Sequence, residues 1–150
     1  MAFELASPAF AAGAAIPTRY SCDGEGVSPP LVWKGAPEGS TSLALIVDDP
    51  DAGGFIHWVA FDLVGSQAGE LSESVSSSPD APPQGANDFG QVGWGGPCPP
   101  SGTHHYRFRL HALDVVLGLT GTPKATDLRA AMEGHIVGEA ELVGTYSRGG

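Results

Sequence analysis

Alternation of apolar and polar residues predicts that most of this chain folds into β-strands. In the run YRFRLHALDVV, residues 106–116, apolar side chains recur at every second position, while two arginines and a histidine take the positions between them. A period of two is typical of a strand with one buried face. The apolar runs 29–35, 42–47, 57–64 and 140–147 are predicted as further strands.

One helix is predicted over residues 126–134. Leu128, Ala131 and Met132 recur at helical spacing, Thr126 or Asp127 caps the start, and a glycine ends the segment at position 134. Between the strands lie long segments rich in proline, glycine and aspartate, at 49–54, 76–91 and 94–102. Loops of this length in a compact domain are more often functional than idle.

Composition supports a β-rich fold of a single domain over residues 1–150. The chain is 41% hydrophobic and 16% charged, as in globular proteins. Its 22 glycines and 13 prolines disfavour long helices and suit turns. The formal net charge of −10 opposes binding to nucleic acids and to anionic membranes. We therefore expect no nucleic-acid partner and no stable membrane insertion.

Localisation is predicted to be cytoplasmic. The apolar stretch AFAAGAAI, residues 9–16, has the length of a signal-peptide core, but an acidic residue and no Lys or Arg precedes it, so we interpret it as part of the fold. No later run is long enough to cross a membrane. Cys22 and Cys98 could form a disulfide, although two cysteines are equally ordinary in a reduced protein, and the sequence leaves the pairing open.

Common catalytic motifs are missing from the sequence, and its candidate chemistry lies in two polar segments. There is no phosphate-binding Walker loop, no GxSxG, no HExxH and no CxxC motif. The first segment, DDPDAGGFIHW, places Asp48, Asp49 and Asp51 at the end of one predicted strand and His57 at the start of the next. These side chains are expected to meet at one rim of the sheet, with Asp49 orienting a histidine or accepting from a ligand.

The second segment, GPCPPSGTHHY, combines a stiff loop with a histidine and a tyrosine. His104 and Tyr106 are two residues apart, so on a strand they face the same side, and His105 faces the other. Three prolines at positions 97, 99 and 100 make the loop a rigid wall, with backbone donors expected near residues 95, 96 and 98. Amides, imidazoles and a phenol are donors that a phosphate or carboxylate site requires.

These segments resemble the signature regions of the phosphatidylethanolamine-binding protein family, also called the Raf kinase inhibitor protein family. The resemblance covers nearly the whole chain, through SPAF, RYSCDGEGVSPPLVW, SLALIVDDPD, NDFG, GGPCPP and ELVGTYSR, and is closest to the short bacterial and archaeal branch. It implies an antiparallel β-sandwich with a Greek-key connection, one or two short helices and a small anion pocket. The pocket residues it implies are Asp49, Ala52, Phe55, His57, Gly96, Pro97, Pro99, His104 and Tyr106.

Three departures from the family pattern limit what the resemblance implies. His105 replaces the usual arginine of an HRY motif, which puts a surface contact in doubt, and DPDAGG replaces DPDAP, which loosens the pocket rim. The chain ends soon after Tyr146, without the C-terminal helix that partly covers the pocket in mammalian members. The kinase-binding role of those members is therefore expected to transfer poorly. Binding of whole phospholipids is expected to transfer poorly too, because a pocket sized for a head group need not accept acyl chains and a net charge of −10 opposes anionic membranes.

The leading functional hypothesis is a non-catalytic binding module for a small phosphorylated or carboxylated ligand, with no cofactor. A protein partner such as a kinase or protease, and a homodimer, are further expectations from the resemblance. Two alternatives stay open: a hydrolase using a metal on Asp49, His57 and His104 or Cys98 as nucleophile, and an inhibitor acting through its surface loops. If a histidine must be protonated to hold a phosphate, affinity should fall as pH rises through about 6 to 8.

Overall fold

The computed structural model describes residues 2–148, and within this range the chain is built mainly from antiparallel strands. Short 3₁₀ turns span Thr18–Tyr20, Pro50–Ala52 and Val75–Ser77. The described strands are β1 (Glu4–Ala6), β2 (Leu31–Lys34), β3 (Ser42–Asp49), β4 (Phe55–Val64), β5 (Gly69–Leu71), β6 (Thr103–Leu113) and β7 (Ile136–Ser147), with the helix α1 (Ala125–Met132) between β6 and β7.

The strands form two sheets in the described part of the chain. The small sheet has the order β1-β2-β5 and the large sheet the order β4-β3-β6-β7, and every strand pair in them is antiparallel. After β5 the chain returns over a long connection to place β6 beside β3, as the predicted Greek-key connection requires. The antiparallel sandwich predicted from the sequence is confirmed.

Two hydrophobic clusters cover the two faces of the large sheet. The first lies between the sheets, where Leu31 and Trp33 of β2 pack in one cluster with Leu45, Trp58 and Phe108 of the large sheet. The second lies on the opposite face, beneath α1. Because both faces of β3 are covered, all eight of its residues are buried. The second cluster comprises Ala44, Ile46, Ile56, Val59, Phe61, Leu113, Ala125, Leu128 and Met132.

The five predicted strands all occur, with ends displaced by up to four residues. The run predicted over 106–116 is β6, which starts three residues earlier and ends at Leu113. The predicted helix is α1, but its N-cap is Lys124 rather than Thr126 or Asp127, and Asp127 instead accepts a hydrogen bond from the Lys124 amide at 2.9 Å. Gly134 has φ +82°, consistent with its predicted role at the helix end.

Segment 9–16 is part of the fold, as predicted. The Gly13 amide donates to the Val143 carbonyl at 2.7 Å, and Ile16 is buried against the inner face of β7. The short strands β1 and β5 were not predicted. No helix in residues 2–148 has the length and apolarity that crossing a bilayer requires. The single-domain interpretation and the cytoplasmic location both stay predictions.

A candidate anion-binding cavity at the end of the large sheet

A cavity of about 180 Å³ opens where β3 ends and β4 and β6 begin. Seven of the nine predicted pocket residues line it, and Phe89, Cys98 and Pro100 complete the lining. Gly96 and Pro97 do not line it. The predicted residues in the lining are Asp49, Ala52, Phe55, His57, Pro99, His104 and Tyr106.

Strand alternation separates the acidic residues that the sequence grouped at one rim. Asp49 lines the cavity, whereas Asp48 faces the other side of β3 and pairs with Arg107, which donates from Nε at 3.0 Å and from a terminal nitrogen at 2.8 Å. Asp51 lies on the following turn and accepts from the amide and from Nδ1 of His105 at 2.7 and 2.9 Å. The prediction that all three carboxylates meet His57 was wrong, because adjacent strand residues point to opposite faces.

Both oxygens of the Asp49 carboxylate accept hydrogen bonds from within the protein. One oxygen accepts from Nδ1 of His104 at 2.6 Å, and the other accepts from the amide of Asp51 at 2.9 Å, which closes the turn after β3. Asp49 therefore orients His104, and orienting a histidine is one of the roles that the sequence left open for it. Since a carboxylate only accepts, Nδ1 of His104 carries a proton, and the remaining ring nitrogen, Nε2, is the one available to a ligand.

His57 is held in the same way by the wall of the cavity. Its Nδ1 lies 2.7 Å from the carbonyl oxygen of Gly95, which only accepts, so Nδ1 is protonated and Nε2 is left for a ligand. His57 is buried, and this burial lowers the pKa of its imidazole below the ordinary value. In the free protein at neutral pH, Nε2 of His57 is thus an acceptor, and it becomes a donor only when the ring takes up a proton.

Tyr106 supplies a donor that needs no protonation change. Burial is the main cause that raises the pKa of Tyr106, and the charges of Asp49 and Asp51 add to it, so the phenol keeps its proton at physiological pH. Its hydroxyl has no hydrogen-bond partner among residues 2–148, although the residue as a whole is only 1% exposed. The ring packs edge-on against His57, with centroids 5.1 Å apart. A free phenol O–H therefore faces the cavity.

The wall loop, residues 94–100, is fixed at several points. The indole of Trp94 donates to the Tyr20 carbonyl at 3.1 Å, and the Gly95 amide donates to the His57 carbonyl at 2.8 Å. That amide is therefore not free for a ligand, contrary to the expectation of a donor at position 95. Gly96 packs against backbone instead of the cavity, since a Cβ there would lie 2.4 Å from the Tyr20 carbonyl oxygen.

Pro97 is also absent from the cavity lining, and its carbonyl accepts from the Cys22 amide at 3.1 Å. Next to this contact, Cys22 and Cys98 form a disulfide, which resolves the pairing that the sequence left open. A disulfide sulfur is not a thiolate, so the structure gives no support to Cys98 as a nucleophile. Within residues 2–148, no three His, Cys, Asp or Glu side chains are arranged to hold a metal ion, and this includes Asp49, His57 and His104.

Phe89 was missed as a lining residue. It packs on Phe55 and His57, with ring centroids 4.7 and 5.4 Å away, and is 46% exposed at the cavity mouth. Its loop is held by Asn87, whose side-chain oxygen accepts from the Phe89 amide at 2.9 Å. The motif NDFG signalled this loop in the sequence, but no spacing rule connects it to the pocket segments.

Comparisons with known proteins agree with this architecture. The family model described as phosphatidylethanolamine-binding protein matches residues 6–147. A UPF0098 protein of Methanothermobacter thermautotrophicus is 51% identical over 97% of this chain and 99% of its own length, and one of Aquifex aeolicus is 45% identical over 97% and 88%.

Two solved structures share the fold over nearly their whole length. The phosphatidylethanolamine-binding protein homologue CT736 of Chlamydia trachomatis superposes with a TM-score of 0.90 at 41% identity, covering 98% of both chains. YbcL of Escherichia coli, described as a member of the mammalian family, superposes with a TM-score of 0.88 at 29% identity, covering 98% of this chain and 99% of its own. The antiparallel sandwich is thus the fold of a known class of proteins. The chain belongs to the phosphatidylethanolamine-binding protein family.

Proposed function

We propose that this protein is a non-catalytic binding module that holds a phosphoryl or carboxylate anion in the cavity at the end of the large sheet. One observation carries the proposal: three side chains present hydrogen-bonding atoms without internal partners to the same small cavity. They are the hydroxyl of Tyr106 and the Nε2 atoms of His57 and His104, and the Nδ1 atom of each imidazole is held by an internal acceptor.

The size of the cavity favours a head group rather than a whole lipid. Its volume of about 180 Å³ is below the roughly 300 Å³ at which pockets for drug-sized ligands begin. Pro99 and Pro100 line one side, and the aromatic rings of Phe55 and Phe89 line another. An oxyanion of a few heavy atoms, attached to a group that extends past Phe89 into solvent, fits these dimensions.

The carboxylate of Asp49 lines the same cavity, and its negative charge repels a bound anion. Protonation of either histidine adds the positive charge and the second N–H donor that the site otherwise lacks. A monohydrogen phosphate offers another route, because it can donate its own proton to the neutral Nε2 of His57. The proposed ligand class is therefore a phosphate monoester or a comparable small acid, bound together with one proton.

Calorimetric titration with inorganic phosphate in a non-phosphate buffer tests this function. Binding to the wild-type protein should be saturable, and His57→Ala/His104→Ala should weaken it at least about a hundredfold, because two hydrogen bonds to a charged group contribute about 1.5–3 kcal/mol each. His135→Ala is the matched control, since His135 lies outside the cavity, where its exposed side chain forms a hydrogen bond with Asp114. Unchanged affinity in the double variant would reject the proposal.

A further inference from the structure

A disulfide bond forms part of the wall of the anion cavity. Cys98 is one of the residues that line the cavity, and it is bonded to Cys22, which follows the turn Thr18–Tyr20. Cys22 is exposed, whereas Cys98 is half-buried. The bond therefore links a residue that solvent reaches to a residue of the cavity lining.

The first half of the wall loop is held by hydrogen bonds that do not involve the disulfide. Trp94 and Gly95 donate to backbone carbonyls of neighbouring segments, and the Pro97 carbonyl accepts from the amide of Cys22. Opening the disulfide removes none of these hydrogen bonds. They fix residues 94–97, none of which lines the cavity.

The second half of the loop does line the cavity but lacks such hydrogen bonds. In the described part of the chain, residues 98–102 take part in no backbone hydrogen bond, and the prolines at positions 99 and 100 have no N–H to donate. Cys98 and both of these prolines are lining residues. The sheet holds the chain again only from Thr103, where β6 begins. Apart from side-chain packing, the disulfide thus holds this part of the wall in place.

We propose that this disulfide is a redox switch for the anion cavity. The oxidised protein holds the wall in place and binds the anion, whereas reduction loosens residues 98–102 and weakens binding. The inference rests on the proposed anion-binding function. A loosened wall must be ordered again by the ligand, and ordering the backbone of one residue costs on the order of a tenfold change in an equilibrium constant. Exposed disulfides are also the labile and regulatory class.

The chemistry of the switch is thiol–disulfide exchange with a dithiol reductant. A thiolate of the reductant attacks the sulfur of the exposed Cys22, and the S–S bond breaks with Cys98 leaving as a thiolate that takes up a proton. The second thiol of the reductant then attacks the mixed disulfide and releases Cys22 as a thiol. The protein gains two electrons and two protons, and the reductant is oxidised to its own disulfide.

Calorimetric titration of the oxidised and the reduced wild-type protein with inorganic phosphate tests the inference. Dithiothreitol is the reductant, because it is uncharged and does not compete for an anion site. Reduction should weaken phosphate binding at least about tenfold, and reoxidation should restore the affinity. Cys22→Ser keeps the Cys98 side chain in the lining, and in dithiothreitol it should bind as weakly as the reduced wild type.

Leu128→Ala separates a loosened wall from a general loss of stability. Leu128 is fully buried in the cluster beneath α1, on the face of the large sheet that lies away from the small sheet. The oxidised variant is therefore destabilised while its disulfide is intact. Its phosphate affinity should stay within about twofold of the oxidised wild type, as is usual for distant, independent sites.

Nuclear relaxation measures the wall loop directly, without phosphate. Reduction of the whole ¹⁵N-labelled protein should lower the heteronuclear NOE of the amides of Ser101 and Gly102, because they gain fast motion. The NOE of the Gly95 amide should stay unchanged, since its hydrogen bond to the His57 carbonyl does not involve the disulfide.

The outcomes distinguish this inference from the proposed function. If the oxidised wild type does not bind phosphate, the proposed function fails and the switch fails with it. If the oxidised and reduced proteins bind phosphate equally, the anion site stands and the switch is overturned. The switch is also overturned if oxidised Leu128→Ala loses as much affinity as reduction causes, or if reduction leaves the NOE of Ser101 unchanged.

Discussion

In the candidate anion cavity, the rings of His57 and His104 are oriented by the same kind of hydrogen bond, which Nδ1 donates to an acceptor inside the protein. For His57 the acceptor is the neutral carbonyl of Gly95, and for His104 it is the carboxylate of Asp49. The two rings thus differ in their electrostatic surroundings although each presents Nε2. The phenol of Tyr106 is a donor in the free protein, and it keeps its proton at all physiological pH values because burial raises its pKa.

Replacing Tyr106 by phenylalanine should weaken phosphate binding without lowering the stability of the protein. The hydroxyl has no partner within residues 2–148, so its removal should leave thermal unfolding almost unchanged. It should weaken phosphate binding about tenfold or more, because one hydrogen bond to a charged ligand is lost. Calorimetry and a thermal melt of Tyr106→Phe measure both effects. Equal phosphate affinity in the variant and the wild type would show that the phenol does not contact the anion.

The pH dependence of sulfate binding follows from the lowered pKa of His57. Sulfate stays a dianion and has no proton to donate, so it requires protonated imidazole at Nε2. Below the lowered pKa the ring is already charged and affinity should be highest; above it, affinity should fall by up to about tenfold per pH unit. Because burial moves the pKa of His57 downwards, the fall should begin below pH 6.5, lower than the window of 6 to 8 expected from the sequence.

Calorimetric titration with sulfate between pH 5 and 8 measures this dependence. Phosphate is the matched comparison, and its affinity should fall less steeply, since its monohydrogen form can donate to the neutral ring. A sulfate affinity that is flat over the whole range would show that only neutral donors hold the anion.

At the scale of single elements, the wall loop 94–100 determines the shape of the anion cavity. Its prolines restrict the backbone, and its contacts reach β4 through Gly95 and the turn at Thr18–Tyr20 through Trp94. The disulfide joins the loop to Cys22, just after that turn. Cys22 is exposed, so the bond is accessible to reductants. Such bonds are typical of oxidising compartments and uncommon in the cytosol, outside hyperthermophiles.

Removing the disulfide should lower the free energy of unfolding. The bond closes a loop with a sequence separation of 76 residues, and the chain-entropy model gives about 4.5 kcal/mol for a loop of that length. Denaturant unfolding of Cys22→Ser/Cys98→Ser measures this loss. The prediction fails if the double serine variant unfolds at the same denaturant concentration as the oxidised wild type.

The sequence predicted the long elements of the fold and most of the cavity, for physical reasons. The four strands of the large sheet are long enough for their apolar patterns to be recognised, whereas β1 and β5 have three residues each, too few to show a period. Strand alternation explains why the side chains of Asp48 and Asp49 face opposite sides of the sheet. It could be applied only once β3 was known to extend to Asp49.

Other features of the site depend on contacts between distant segments. The amide of Gly95 is used by His57, and Gly96 is packed against Tyr20, which no local pattern indicates. The position of Phe89 over His57 likewise depends on how the loop 87–91 folds back across β4. The resemblance indicated which residue types form the cavity, whereas the direction in which each backbone group points follows only from the folded structure.

For the molecule as a whole, two separate cores cover the two faces of the large sheet. The core between the sheets includes Tyr106 and Trp94, and so supports the anion cavity directly. The core beneath α1 lies on the opposite face of the sheet. The second core should therefore contribute to stability with little effect on ligand affinity.

Truncation of Leu128 tests this separation. The side chain is fully buried on α1, and Leu128→Ala should lower the free energy of unfolding by about 2–5 kcal/mol. The affinity for phosphate should stay within about twofold of the wild type as long as the protein is folded. Denaturant unfolding and calorimetry on one preparation provide both values. A large loss of affinity in folded Leu128→Ala would show that the two cores are coupled.

The central claim, that the cavity binds an anion through the imidazole of His57, is tested most directly by NMR titration of that ring with and without saturating sulfate. Without sulfate, the pKa of His57 should lie below 6.5 because the ring is buried. With sulfate it should rise by at least about one unit, and the ring signals of His135, which lies outside the cavity, are the internal control. A His57 titration that sulfate does not change would contradict the account.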